Sequence, residues 1–329
     1  MNTKLKKIIT LSLPILLGVF LVWYVFSGLN ETELEKVKDS FRHANYWWVL
    51  LSIVFGALSH LSRAYRWQFL LDPLGYRPKF LNSFMAVAVT YLLNLAIPRS
   101  GEIGRATTLT KYEGVPFEKG FGTIVAERVA DVLMLLLIIF IAFALQYDYF
   151  FNLISKAAPK NPIQLGGIII AIIAFAYFGF KFLKKSSNKV IVKIRGFVSG
   201  LIEGVKSIFS MEKKWAFIFH TVFIWVMYVA MFYVVTFAIP ETSDLSLGTI
   251  IVGFVAGAIS IAITNGGIGT YPYGVSKAFA LYGIAEVSGV AFGWIMWTAQ
   301  TVMILILGAL AFIFLPIYNR NKEVQVSEA

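Results

Sequence analysis

Apolar and polar positions alternate along this chain on the scale of tens of residues. Runs at 8–26, 46–71, 122–145, 163–182, 215–239 and 287–314 are almost wholly apolar. About 20 such residues in a helix cross roughly 30 Å of hydrocarbon, and the short strict alternation of an outer-membrane barrel is missing. The pattern therefore predicts an all-α polytopic membrane protein. Two further apolar runs, 80–97 and from 247 onward, end in glycine-rich polar turns. Residues 30–45 are polar but carry Leu34, Val37 and Phe41 at helical spacing, which predicts a short amphipathic surface helix. Between 184 and 214, eight lysines and arginines alternate with an apolar stripe of period 3.6, the pattern of a helix lying on an anionic leaflet.

The distribution of charge orients these elements. Positive residues gather on the cytoplasmic side of short loops, which places 184–214, the basic leader around Lys4, Lys6 and Lys7, and Arg320 and Lys322 inside. Glu241 and Asp244 then lie outside. By this parity residues 80–119 leave and return to one face, so the run 80–97 enters as a re-entrant hairpin with its irregular backbone enclosed by protein. The second apolar run, from 247, enters from the opposite face. LAIPRSGEIGRATTL at 95–109 and IAITNGGIGTYPYGV at 261–275 align with one gap, pairing Gly101 with Gly266 and Gly104 with Gly269. Two broken elements of opposite direction predict an inverted repeat with its site at the repeat interface. The expectation is about eight membrane segments, six full spans and two re-entrant hairpins, with cytoplasmic N and C termini. The chain is read as one domain, 1–329, with repeat cores at 80–145 and 247–314 and the cytoplasmic amphipathic segment at 184–214.

Composition sharpens this reading. Of 329 residues 58% are hydrophobic and 14% charged, against about a quarter charged in soluble domains. The net charge of +11 sits in loops beside apolar runs, so it points to anionic inner-leaflet lipids as partners and not to nucleic acid. Zero cysteines exclude disulfides and thiolate metal sites. No nucleotide-binding glycine loop occurs, and neither a cofactor nor a metal is expected.

Against this background residues 94–131 stand out, because they carry Arg99, Glu102, Arg105, Glu127, Arg128 and Asp131 between apolar runs. Such charges cost roughly 2.5–3.5 kcal/mol each at a helix centre in a bilayer. Glu127 and Asp131 are four apart and share a helix face with Arg128 nearby; they are expected to form an internal ion-pair network. Arg99 and Arg105 lie on a loop broken by Pro98, Gly101 and Gly104, where guanidinium groups and free amides suit a phosphate. Glu102 between them is expected to hold an arginine or meet a cationic headgroup. In 46–71, Ser52, Gly56, Ser59, Ser62, Arg63 and Arg66 form one stripe. Arg63 and Arg66 either snorkel to headgroup phosphates or contact substrate, and His60 is read as a packing residue.

RAYRWQFLL at 63–71, NLAIPRSGEIGRA at 94–106 and ERVADVLML at 127–135 resemble the flippase-like family of the lysylphosphatidylglycerol synthase transmembrane region. The Gly-Gly-Ile-Gly turn at 266–269 is similar to that family's second landmark, except that Thr264 stands near its usual proline and Tyr271–Tyr273 replace its usual acid. The resemblance implies translocation of a membrane lipid. Candidate substrate-binding residues are then Arg99, Glu102, Arg105, Arg63, Arg66 and Asn94 in the first half, and Asn265, Tyr271 and Tyr273 in the second. Larger members carry a fused aminoacyltransferase domain; only a short polar tail follows residue 314, so no enzymatic activity is expected. The alternatives are an intramembrane headgroup transferase and a scaffold partnering a cell-envelope or lipid-synthesis enzyme in the cytoplasmic membrane.

Overall fold

A computed structural model of the chain describes residues 16–157 and 208–320, together with positions 164, 192 and 206. All regular elements among these residues are helical. They are α1 Leu16–Ser27, α2 Glu31–His43, α3 Tyr46–Leu71, α4 Phe80–Ala96, α5 Ser100–Glu113, α6 Phe117–Leu145, α7 Tyr147–Ala157, α8 Lys214–Val235, α9 Leu247–Ile263, α10 Thr270–Ala280 and α11 Glu286–Tyr318. The chain forms two compact units, one from residues 1–142 and 215–329, the other from 143–214. In the second unit α7 is the described helix. The apolar run at 163–182, apart from position 164, and most of the basic segment at 184–214 lie outside the described residues, as do both chain termini.

Four helical stretches, Tyr46–Leu74, Phe117–Leu145, Lys214–Ala238 and Glu286–Tyr318, are long and apolar enough to cross a membrane; three more, α1, α4 and α9, are apolar but shorter. Their boundaries follow from local chemistry. The side-chain oxygen of Asn30 accepts the Glu33 amide at 2.9 Å while Glu33 accepts the Asn30 amide at 3.0 Å, a capping box that fixes the start of α2. Val37 is the buried residue of that helix, as its spacing requires. Asn45 caps α3 through the Trp47 amide, and Ser246 caps α9 through the Thr249 amide.

Two helix pairs, α4–α5 and α9–α10, fold back on themselves. In the first, Asn82 near the start of α4 donates to Glu113 at the end of α5, and Gly101 lies so close to the Thr90 carbonyl that a β-carbon there would collide with it. In the second, Thr270 donates to the Ser260 carbonyl at 2.9 Å, while Gly253 packs on Phe279. The 33-residue α11, about 50 Å long at 1.5 Å per residue, runs past both pairs. Its last turn holds the open end of the first pair: Asn319 and Asn82 exchange amide hydrogen bonds at 2.8 and 2.9 Å. Its first turn holds the open end of the second: Glu286 accepts from Lys277 at 2.7 Å and its carbonyl from Ser276 at 2.9 Å. The hairpins are therefore anchored at opposite ends of one helix, and their tips meet. A β-carbon added at Gly266 would stand 2.6 Å from a Leu95 δ-carbon.

Both tips are built alike. An extended residue, Ile97 or Thr264, ends the inward helix, and a residue with positive φ, Arg99 at 65° or Gly269 at 69°, precedes the return helix. This geometry equates Arg99 with Gly269, so the alignment of Gly104 with Gly269 expected from the sequence is out of register. The second tip is longer by a 3-10 turn, Asn265–Gly267, which a one-residue gap does not accommodate. Around the second hairpin, Phe232, Phe254, Phe279 and Phe292 join α8, α9, α10 and α11 in an aromatic core, with ring centroids 4.9 to 6.1 Å apart. Such edge and tilted contacts favour one packing over its neighbours.

Candidate functional site

The charged residues of α3, α5 and α6 converge inside the bundle. Residues three apart on α3 and four apart on α6 project from one side of each helix, so Arg63 and Arg66 face Glu127 and Asp131. Arg63 Nη1 donates to Glu127 Oε1 at 2.6 Å and to Asp131 Oδ2 at 2.8 Å; Arg66 Nη2 donates to Asp131 Oδ1 at 3.1 Å and lies 2.9 Å from Glu127 Oε1. Arg63, Arg66, Arg105, Glu127 and Asp131 are all buried. Two hydroxyls complete the shell: Tyr228 accepts from Arg63 Nη2 at 3.2 Å and Thr221 accepts from Arg66 Nη1 at 3.0 Å. Tyr228 also meets the Tyr91 hydroxyl at 3.1 Å, which ties α4 to the cluster.

Arg105, from the return helix of the first hairpin, approaches Glu127 from the other side. Its Nη2 forms an ion pair with Glu127 Oε2 at 3.0 Å, and its Nε has no hydrogen-bond partner. The guanidinium lies flat on Trp67, 3.7 Å from the ring centroid, and Trp67 is held by its own donation to Thr123 Oγ1 at 2.8 Å. Beside this core, Arg128 pairs with Glu102 at 2.7 Å and lies 3.7 Å from Asp131. Asn94 clasps the hairpin tip: its Oδ1 accepts the Gly101 amide at 2.8 Å and its Nδ2 donates to Glu102 at 3.4 Å.

Three sequence expectations change. First, the pairing along α6 is a minor part of the network: Arg128 lies 3.7 Å from Asp131, but the carboxylates are held mainly by Arg63 and Arg66 from α3, and Arg128 by Glu102. Second, Arg63 and Arg66 neither snorkel outward nor lie open, because each is engaged by both carboxylates. Third, Arg99 and Arg105 are not neighbours in one loop. Arg99 is exposed at the tip with φ of 65°, whereas α5 begins at Ser100 and carries Arg105 into the bundle. The helix starts before Gly101, since Asn94 replaces the partner that the first free amide lacks. His60 is buried and stacked on Tyr91, with ring centroids 4.3 Å apart.

In the second half, Tyr271 is buried against Gly257. Tyr273 meets Tyr24 edge-on at 6.4 Å. Asn265 sits in the second tip, where its amide nitrogen and oxygen are buried without a partner. Among the described residues, none of these three shares a hydrogen bond with the arginine cluster. Trp67, Tyr228 and Thr221 were not singled out from the sequence. The signal for Trp67 was present, as it sits four residues after Arg63 on the same stripe; Tyr228 and Thr221 lie in an apolar run more than 150 residues away and gave none.

Residues 11–308 match the family model of the lysylphosphatidylglycerol synthase TM region. The chain is also 30% identical over 135 residues to a UPF0104 membrane protein of Methanocaldococcus jannaschii, a match spanning 40% of this chain and 40% of that relative. No solved structure matches the chain. The chain is a multi-pass membrane protein belonging to the family of the lysylphosphatidylglycerol synthase transmembrane region.

Proposed function

We propose that the protein moves an anionic lipid, a phospholipid or a polyprenyl-phosphate-linked lipid, from one leaflet of the cytoplasmic membrane to the other. The observation that carries this reading is the buried arginine cluster beside a hairpin whose tip meets a second hairpin anchored at the opposite end of α11. In a bilayer, irregular backbone at depth is tolerated where protein or water encloses it, and oppositely inserted broken elements that meet are the architecture of secondary transporters. On this reading the repeat is inverted, with cores at 80–145 and 247–314. The lipid's tails stay in hydrocarbon while its phosphate passes the arginines. Arg105 is the first-ranked contact, because its buried Nε lacks a hydrogen-bond partner; Glu102, Asn94 and Arg128 border the path, and Arg99 meets the head at the tip. Arg63 and Arg66 hold the carboxylates in place. Asn265, Tyr271 and Tyr273 serve the second half of the path.

The test is transbilayer movement of a fluorescent anionic lipid in proteoliposomes, read by impermeant quenching of the outer leaflet. Wild type is expected to expose the inner-leaflet probe, and Arg105→Ala to reduce the rate to that of protein-free vesicles. A rate for wild type equal to that of empty vesicles overturns the transport reading.

A further inference from the structure

A cleft between α1, α10 and α11 lies apart from the arginine cluster, at the open end of the second hairpin. It encloses about 260 Å3, and Tyr24, Ser27, Tyr273, Lys277, Glu286 and Val290 are among its lining residues. Ligand sites usually run from about 300 Å3 upward, so this one has room for a small polar head and not for acyl chains. Lys277 and Glu286 are the charged residues of the lining. Lys277 Nζ donates to both carboxylate oxygens of Glu286 at 2.7 Å and stands 5.7 Å from the centroid of the Tyr273 ring. Tyr24 forms a second wall, its ring 6.4 Å from that of Tyr273 and inclined by 69°. A carboxylate with aromatic faces beside it is what recognises an ammonium group, and here the chain's own lysine supplies that group. Both partners of the pair are exposed, so it exchanges for another at little cost. The level of the cleft matters too. The apolar helix α1 ends at Ser27, the polar cap of α2 follows at Asn30, and the long apolar helix α11 begins at Glu286. Aromatic residues gather where a membrane meets water, and Trp23 and Tyr24 are exposed here. Lipid heads occupy that depth.

We propose that this cleft holds the ammonium–phosphate zwitterion of a bilayer phospholipid as a resident lipid. The ammonium replaces Lys277 Nζ between Glu286 and Tyr273, with Tyr24 as the second wall, and the released Lys277 pairs with the phosphate. One ion pair is exchanged for two, and the charge of the cleft stays balanced. A head with a single negative charge meets Glu286 on the same ammonium, and a head with a single positive charge leaves Lys277 without a partner. Both are selected against by an unpaired charge. A soluble phosphocholine shares the zwitterion's chemistry; the lipid is favoured because the cleft lies where the apolar lengths of α1 and α11 end. The site goes beyond the transport reading and does not rest on it, since its head differs in charge from the anionic lipid proposed to move.

The experiment titrates the purified full chain in a maltoside detergent with dihexanoyl phosphatidylcholine, dihexanoyl phosphatidylglycerol and free phosphocholine, and reads the rise in unfolding temperature. A ligand that binds only the folded state raises it. The two lipids have the same tails, so a difference between them reports the head. In wild type phosphatidylcholine is expected to bind about tenfold more tightly than phosphatidylglycerol, with phosphocholine weaker than either. Glu286→Gln removes the partner of the ammonium and frees Lys277 for an anion, so it is expected to reverse the order of the two lipids; the variant folds, because the pair it breaks is exposed. Tyr273→Leu removes the ring and is expected to weaken phosphatidylcholine while leaving phosphatidylglycerol unchanged. Equal affinity of wild type for the two lipids overturns the proposal, as does a preference for phosphatidylcholine that survives in Glu286→Gln. Free phosphocholine matching phosphatidylcholine overturns the lipid as the ligand. Because the readout needs no lipid movement, a chain that binds in the expected order yet flips nothing refutes transport and leaves this site standing.

Discussion

Replacing Asp131 by Asn separates a buried charge network from a decorative one. Asp131 accepts hydrogen bonds from Arg63 at 2.8 Å and Arg66 at 3.1 Å, with side chains 11%, 4% and 0% exposed. The amide keeps the shape but removes a charge and turns an N–H toward guanidinium donors. Breaking one partner out of a buried ionic group costs about 3–5 kcal/mol, because the remaining charges stay desolvated. The internal control is Glu286→Gln, which breaks an ion pair of similar length, 2.7 Å, whose side chains are 47% and 56% exposed. Exposed pairs contribute about 0–1 kcal/mol. The assay is denaturant or thermal unfolding of the detergent-solubilised chain followed by circular dichroism. Asp131→Asn is expected to lose several kcal/mol and Glu286→Gln no more than about 1. Equal losses would refute the reasoning, since the cluster would then be solvated and its burial without consequence. A second refutation is available: Arg63→Met with Asp131→Leu should recover much of the loss, as an apolar pair carries no desolvation penalty.

Other expectations follow from single positions. Arg99 holds φ of 65°, a conformation that costs a non-glycine residue about 1 kcal/mol or more, so Arg99→Gly should raise stability by about 1 kcal/mol in the same unfolding assay while slowing flipping. Gly101→Leu drives a side chain into the Thr90 carbonyl and should cost at least about 1–3 kcal/mol as overpacking; a neutral result would mean the first hairpin is loosely closed. Asn82→Ala and Asn319→Ala should each destabilise, with a double-mutant coupling of about 1 kcal/mol from their reciprocal amide bonds.

Much of this fold is legible in the chain because run length and charge parity are one-dimensional properties. The lengths of α3, α6, α8 and α11 follow from apolar runs, and the fold-back of α5 on α4 at 80–113 matches the hairpin that charge parity predicts. The buried Val37 follows from local spacing. The site was half legible. Charge in an apolar setting marked Glu127, Asp131 and Arg105, but which charge meets which depends on how α3 packs on α6, over a separation of 64 to 68 residues. Local i,i+3 reasoning therefore assigned Asp131 to Arg128, which lies 3.7 Å from it, whereas its shorter contacts are to Arg63 and Arg66. The register of the second tip was missed for a related reason. Gly266, Gly267 and Gly269 all carry positive φ, and sequence matching treats such glycines as interchangeable although only one precedes the return helix.

The claim on which the account turns is that the two hairpins enter from opposite faces. The chain has no cysteine, so single cysteines report cleanly. Lys79 and Asp244 are exposed residues shortly before α4 and α9. Labelling Lys79→Cys and Asp244→Cys with an impermeant maleimide in intact cells and in inverted vesicles measures their sidedness. The account predicts that Asp244→Cys reacts from outside the cell and Lys79→Cys only in inverted vesicles; reaction of both from the same face would contradict it.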